Sequence, residues 1–258
     1  MLGLGLSVSH VSLPEGYLEL SELANYADLD VWFDFSTLTG SHGDEVTAAT
    51  NLGQSGSGKN INSNGGDPTL DTSTMNRNSI AFDGNDYLNM AATYTTTGKA
   101  HTFFMVFTKA DGSNDIIVQK SSSDEDDIIK ITGASPDNKN LAIGYAGESA
   151  QTVALNSTGG STVSWSIPTD EVTVLAIRRI ANGEVYIYAQ QGAAVAVKST
   201  SAIKAGANFS IGSIGGSATG ADVTGNIAEV GIYDADIGVS NTQELCRNLM
   251  IKWGADSL

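Results

Sequence analysis

The sequence predicts an all-β protein: an antiparallel β-sandwich preceded by an N-terminal arm and finished by one short helix. Three observations carry that prediction. Short apolar runs recur roughly every eight to twelve residues, the interval that sandwich strands and their turns require. Glycine is abundant at 29 residues and proline scarce at 4, with Ser, Thr and Asn filling the gaps, a mixture that suits tight turns. One stretch alone, near the end, combines a long strand with a clear helical stripe.

At 258 residues the chain is within the range of a single sandwich, and it shows no internal repeat. Thirteen Lys and Arg stand against 29 Asp and Glu, a formal net charge of −16. That surface repels a nucleic-acid backbone and an anionic membrane alike, so neither is an expected partner. Cys246 is the single cysteine, which rules out a disulfide within the chain. Its place beside an apolar helix stripe predicts a buried, inert thiol. Met1–Ser9 is mildly apolar without a basic segment, so no secretory signal is expected, and no run reaches membrane-spanning length.

In chain order, residues 1–28 read as an arm with a short helical segment, Leu20, Leu23 and Ala24 sharing a side; residues 29–258 read as the sandwich. Val31, Phe33 and Phe35 alternate in a first strand. From Ser36 to Thr74 the composition collapses to Gly, Ser, Asn, Asp and Thr, giving a long surface loop or irregular strands. Ser79–Phe82 and Tyr87–Met90 read as a hairpin about the Asp83-Gly84 turn. Phe103–Phe107 is an unbroken apolar run, a strand buried on both faces. Asp115–Lys120, Asp127–Thr132, Leu141–Tyr145 and Gln151–Leu155 are four short strands, and Val172–Arg179 with Glu184–Ala189 forms a hairpin. Ala193–Lys198 and Asn208–Gly212 follow. Gly225–Asp234 closes the series, with Ala228, Val230 and Ile232 on one face and Ile227, Glu229, Gly231 and Tyr233 on the other. Ser240 with Gln243 predicts a capping box, Leu245, Leu249 and Trp253 an apolar stripe, and Gly254 a stop.

Three of these stretches carry a family likeness. Asn226-Ile227-Ala228-Glu229-Val230-Gly231-Ile232-Tyr233-Asp234 with its helix, Ser79–Leu88 with its Phe-Asp-Gly turn, and Phe209-Ser210-Ile211-Gly212 resemble laminin-G-like, concanavalin A-like jelly rolls. Leu29–Thr39, with Val31-Trp32-Phe33-Asp34, is similar to the first sandwich strand of such domains in tailed-phage virion structural proteins. The resemblance covers roughly Leu29 to Gly254. It implies a jelly-roll fold and, more loosely, a place in a phage particle.

Candidate sites are few. Sandwich glucanases present E-x-D-x-x-E on one strand, and no such spacing with apolar flanks occurs here, so no catalytic residue is expected. The acidic run Asp124-Glu125-Asp126-Asp127 follows three serines and reads as a solvated turn. His10, His42 and His101 are scattered, which fits neither a nucleophile triad nor zinc. Gly53–Asn60 mimics a phosphate-binding loop but has Asn60 where Ser or Thr must hold magnesium. Glu229 reads as a structural polar group rather than a catalytic acid. No cofactor is called for. Calcium is the one ion left open, at Asp111, Ser113 and Asp115, with Asp83, Asn85, Asp86, Asp234 and Asp236 as further oxygen donors near turns. For glycan binding, Trp165 and Tyr145 are the aromatics beside loops, while Trp32 and Trp253 read as core. The sequons at Asn156 and Asn208 carry weight only in a secreted chain.

Together these readings predict a non-catalytic virion structural protein of a phage. It would decorate the capsid or form part of a tail appendage, as a homo-oligomer among other virion proteins, in contact with host-surface glycans. The alternative is a secreted or displayed carbohydrate-binding adhesin with calcium; a glycoside hydrolase comes third.

Overall fold

The structure is a computed structural model, and it describes residues 16–63, 66–94, 100–109, 114–119, 128–132, 140–143, 151–154, 171–181, 184–189, 195–198, 207–212 and 223–255. Among them are sixteen strands and one α-helix. The strands are β1 (Leu29–Asp34), β2 (Ala48–Ala49), β3 (Ile61–Ser63), β4 (Thr69–Asp71), β5 (Ser79–Asp83), β6 (Leu88–Tyr94), β7 (His101–Lys109) and β8 (Asn114–Gln119). Then come β9 (Ile128–Thr132), β10 (Asn140–Ile143), β11 (Gln151–Ala154), β12 (Thr173–Arg179), β13 (Glu184–Ala189), β14 (Val195–Lys198), β15 (Ala207–Ile211) and β16 (Thr224–Tyr233). The helix α1 is Gly238–Trp253.

Two sheets result, with every described pairing antiparallel. Sheet A runs β14-β13-β12-β7-β16-β5-β4, with β1 also on β16; sheet B runs β11-β10-β9-β8-β15-β6-β3-β2. The fold class is therefore the expected antiparallel sandwich with a C-terminal helix. Val31, Phe33, Phe103, Met105 and Phe107 from sheet A, with Phe35 just beyond β1, meet Ile61, Leu88, Met90 and Ile211 from sheet B in the core between the sheets. Phe104, Val106, Trp32 and Ala228 point the other way, into a second core roofed by Leu245, Leu249 and Trp253 of α1. The alternation read along Val31–Phe35, and the double burial read along Phe103–Phe107, follow from this position of sheet A between a sheet and a helix. Tyr17, Leu20 and Leu23 are buried, and Leu18 N–H donates to Asn248 of α1 at 2.8 Å.

Three local expectations are corrected. The stretch Ser79–Met90 is no hairpin: β5 pairs with β4 and β16, and β6 with β3 and β15. Ile80 and Phe82 enter the central core from one sheet and Leu88 and Met90 from the other, so the chain must arch across the core. The arch is shaped by its own acids. Asp86 accepts the Asp83 N–H at 2.9 Å and Asp83 accepts that of Asn85 at 3.1 Å, while Gly84 adopts φ +98°.

In β16 a bulge lies between Ile227 and Glu229, opposite Phe107 and Val106. The extra residue, Ala228, exchanges faces with Ile227: Ile227 joins the central core and Ala228 the helix side. From Glu229 to Tyr233 the expected alternation holds. Finally, α1 starts at Gly238 and has no side-chain cap from Ser240. Asp236, gripped by Arg178, accepts the Gly238 N–H at 2.9 Å instead and starts the helix three residues earlier. Gly254 ends it in the left-handed conformation at φ +66°, as expected.

Gly231 tests the second core. An added Cβ would lie 2.3 Å from Phe104 Cε1 and 3.1 Å from the Val31 carbonyl oxygen. Gly231→Ala is expected to destabilise the protein by roughly 1–3 kcal/mol through overpacking, read from denaturant unfolding at an unchanged m-value.

Candidate functional site

The described structure brings charged groups together in one place, and that place is closed. Register sets Asp34 of β1 directly opposite Glu229 of β16, both on the helix side of sheet A. Lys252, in the last turn of α1, reaches down between them, with Nζ 2.6 Å from Asp34 Oδ2 and 2.7 Å from Glu229 Oε2. Two indoles complete the node. Trp32 Nε1 donates to Glu229 Oε1 at 2.8 Å and Trp253 Nε1 to Glu229 Oε2 at 2.7 Å. Ser36 donates to Asp34 Oδ1 from its N–H at 3.0 Å and its hydroxyl at 2.6 Å. Asn76 and Arg77 donate to the Lys252 carbonyl, anchoring the helix end.

Burial pushes the Glu229 carboxyl up, against the pull of the Lys252 ammonium, and Asp34 raises it further. Burial alone would lower the Lys252 ammonium, but the two carboxylates more than offset it and hold the group protonated. The Tyr17 phenol nearby is raised, chiefly by burial. Sharing one ammonium brings the two carboxyls together, and a retaining glycosidase also works through a carboxyl pair. They cannot serve as one. Glu229 is 0% exposed, Lys252 2% and Asp34 8%, and the lysine occupies the space between them. Glu229 is enclosed beneath α1, with both carboxyl oxygens taken by donors.

A second polar node fixes the neighbouring edge. Asp71 of β4 accepts the Ser73 and Thr74 N–H groups at 2.7 and 3.0 Å, the Thr74 hydroxyl at 2.5 Å and the Asn226 amide at 2.8 Å. Burial alone would raise this carboxyl, yet the donors outweigh it and hold it well below the usual carboxylate range.

Other candidates fall apart or lie elsewhere. Lys59 of the phosphate-loop mimic binds Asp30 at 2.5 Å, and Asn51 bonds Trp32 N–H, Gly53 N–H and the Gly56 carbonyl. That stretch is a strap on β1, not a nucleotide cradle. His42 sits 3.5 Å from Asp71 and His101 is buried at the start of β7; His10 lies outside the described residues. Asp236 is committed to Arg178, and Asp83 and Asp86 to their own arch. Among the described residues no group of three or more His, Cys, Asp or Glu is placed to hold a metal ion. Asp111 and Ser113 lie outside the described residues, as do Tyr145, Trp165 and the run 124–127. The backbone of Asp115 lies in β8, opposite Ile131 of β9. Cys246 is buried and its thiol pushed up to about 12 by burial, the inert thiol expected.

Sequence reading did not single out the outer row of sheet B. Asn62 of β3, Asn89 of β6, Ser210 of β15 and Gln119 of β8 occupy one register row. Their strand neighbours Ile61, Leu88, Met90 and Ile211 fill the central core, so alternation assigns Asn62, Asn89 and Ser210 to the opposite face. Ser210 Oγ donates to Asn89 Oδ1 at 2.6 Å. Ser210 is fully buried, while Asn62 and Asn89 are half-buried. The signal was there in the sequence: polar residues alternating with apolar ones in Ile61-Asn62 and Leu88-Asn89-Met90.

No protein-family model and no curated protein matches the sequence. Solved structures do match the fold. One is domain 4 of AbnA, an extracellular GH43 arabinanase of Geobacillus stearothermophilus, in complex with arabinotriose: TM-score 0.59 at 14% identity, covering 84% of this chain and 98% of that one. Another is the ligand-binding domain of botulinum neurotoxin serotype D in complex with N-acetylneuraminic acid: TM-score 0.59 at 10% identity, covering 89% and 54%. A third is a heptameric SAP-like pentraxin of Limulus polyphemus: TM-score 0.53 at 14% identity, covering 65% and 81%. The chain spans about half the length of the neurotoxin domain. The class is thereby defined as an antiparallel β-sandwich of the concanavalin A-like, jelly-roll kind.

Two outcomes test these nodes. Lys252→Met strips the ammonium from two buried carboxyls and is expected to cost roughly 3–5 kcal/mol in denaturant unfolding. Asp71 has a folded pKa below its unfolded value of 3.8, so its contribution is complete above that value and is lost as pH falls towards the folded one. Between about pH 5 and about pH 2, Asp71→Asn should therefore lose stability less steeply than the parent chain.

Proposed function

We propose that this chain is a non-catalytic carbohydrate-recognition sandwich, displayed at the surface of a phage particle. The row on sheet B carries the recognition half of the reading. Sugars present many hydroxyls that both donate and accept, and the amides of Asn62 and Asn89 offer both functions on a fixed sheet face. Structures of the same fold in complex with arabinotriose and N-acetylneuraminic acid support it. The non-catalytic half rests on Asp34 and Glu229, a carboxyl pair whose burial beneath α1 bars a substrate.

The particle setting, with other virion proteins and further copies of this chain as partners, rests on the likeness of Leu29–Thr39 to the first strand of phage virion domains. An acidic chain of net charge −16 suits neutral sugars, or anionic ones bridged by calcium, better than bare anionic chains.

A glycan array probed with the full chain, with and without chelator, is expected to show sugar binding. Asn62→Ala with Asn89→Ala should weaken it about thirtyfold, since two lost hydrogen bonds near 1 kcal/mol each amount to that, at an unchanged melting temperature. An array without signal in either condition contradicts the recognition reading. Absence of the chain from the protein complement of purified virions contradicts the setting.

A further inference from the structure

The node beneath α1 holds chemistry that its structural role leaves unused. An ammonium and a carboxylate sit 2.6 Å apart with side chains only 3% and 8% exposed, and a second carboxyl touches the same ammonium. Two ions kept out of water in this way are costly, and the attraction between them repays the cost only in part. Joining them as an amide removes both charges at once. We propose that Lys252 and Asp34 are linked by an isopeptide bond that forms within the folded protein, with Glu229 carrying the protons.

Geometry supports each role. With Nζ 2.6 Å from Asp34 Oδ2, the nitrogen lies within about 4 Å of Cγ, close to the ~3–3.5 Å of a near-attack arrangement. Ser36 occupies Asp34 Oδ1 through both its N–H and its hydroxyl, which fixes the carboxyl and leaves Oδ2 to the lysine. Asn76 and Arg77 hold the lysine's backbone. Glu229 Oε2 lies 2.7 Å from Nζ, within reach of the protons that the amine must shed. The indole N–H groups of Trp32 and Trp253 donate to Glu229 and stabilise its charged form while it waits to accept one.

The steps balance. Lys252 passes one proton to Asp34, leaving a neutral amine beside a neutral acid. The Nζ lone pair then attacks Cγ, and Glu229 takes a second proton from the nitrogen. Glu229 returns that proton to the departing hydroxyl, one water leaves, the carbonyl reforms, and the amide keeps the third Nζ proton. Glu229 ends as it began. Effective molarities of about 10⁵–10⁸ M for well-oriented groups lower the barrier to the attack, and burial keeps water from returning to hydrolyse the amide. Because the carboxylates hold Lys252 protonated, the reaction needs the proton acceptor that Glu229 supplies. The bond would tie β1 to the end of α1, residues 218 apart, and so restrict the unfolded chain as a disulfide does.

Trypsin digestion of the denatured full chain, followed by mass spectrometry, tests this. Asp34 lies in the fragment 1–59 and Lys252 in 248–258, which stays whole because an acylated lysine is not cleaved. The expected species is these two fragments joined, lighter than their sum by one water, with fragmentation locating the bond at Asp34 and Lys252. Glu229→Gln, shown folded by circular dichroism, is expected to lose the joined species. Free 248–252 and 253–258 from the parent chain would overturn the proposal. So would a water loss confined to one fragment, as from a succinimide at Asp83-Gly84. A joined species persisting in Glu229→Gln would overturn the role given to Glu229. Should that variant fail to fold, the parent digest decides alone.

Discussion

As the chain folds, one ammonium held between two carboxylates sets the terms for the rest of the structure. Lys252 can be buried because Asp34 and Glu229 meet it, and they can be buried because it meets them. Removing any one would leave charge stranded in a dry site, which proteins avoid at considerable cost. The arrangement needs β1 in register with β16, so that Asp34 opposes Glu229. It also needs α1 laid across sheet A to deliver the lysine. The bulge in β16 works to the same end, admitting Ala228 to the helix side just before Glu229. Strand β16, paired with β1, β5 and β7, is thus the spine of sheet A, and the node locks helix to spine.

Much of this was legible in the sequence because apolar alternation is a local signal. Val31, Phe33 and Phe35 face one core, Phe103–Phe107 serve two, and Leu245, Leu249 and Trp253 roof the second. What escaped was non-local. Asp83-Gly84 promises a turn, and a turn it is. Whether the strands beside it pair or part depends on which sheet recruits each, and β16 claims β5 while β15 claims β6. The capping box failed because Arg178, on a distant strand, positions Asp236 to start α1 early. The carboxylate pair was invisible to a search for acids spaced along one strand, since its members come from opposite ends of the chain. A signal existed all the same: Asp34, Glu229 and Lys252 each interrupt an apolar run otherwise destined for burial.

The two sheets divide their labour. Sheet A is covered on both faces, by sheet B and by α1, and it carries the hydrogen-bonded Glu229 and Asp71 nodes. Sheet B has one face in the central core, and its other face carries the row of Asn62, Asn89 and Ser210. The internally bonded charge is thereby concentrated on one side of the sandwich and the open polar row on the other. The outer residues of sheet B are free to vary on such a scaffold without disturbing the node that holds it together.

The node beneath α1 is sealed and opens only with the whole fold. Hydrogen exchange at the indole N–H groups of Trp32 and Trp253, followed by NMR, measures this directly. Both donate to Glu229, so both should exchange only through global unfolding, at the rate of the slowest core amides. Exchange of either indole at the rate of local openings, well ahead of the core, would contradict the account.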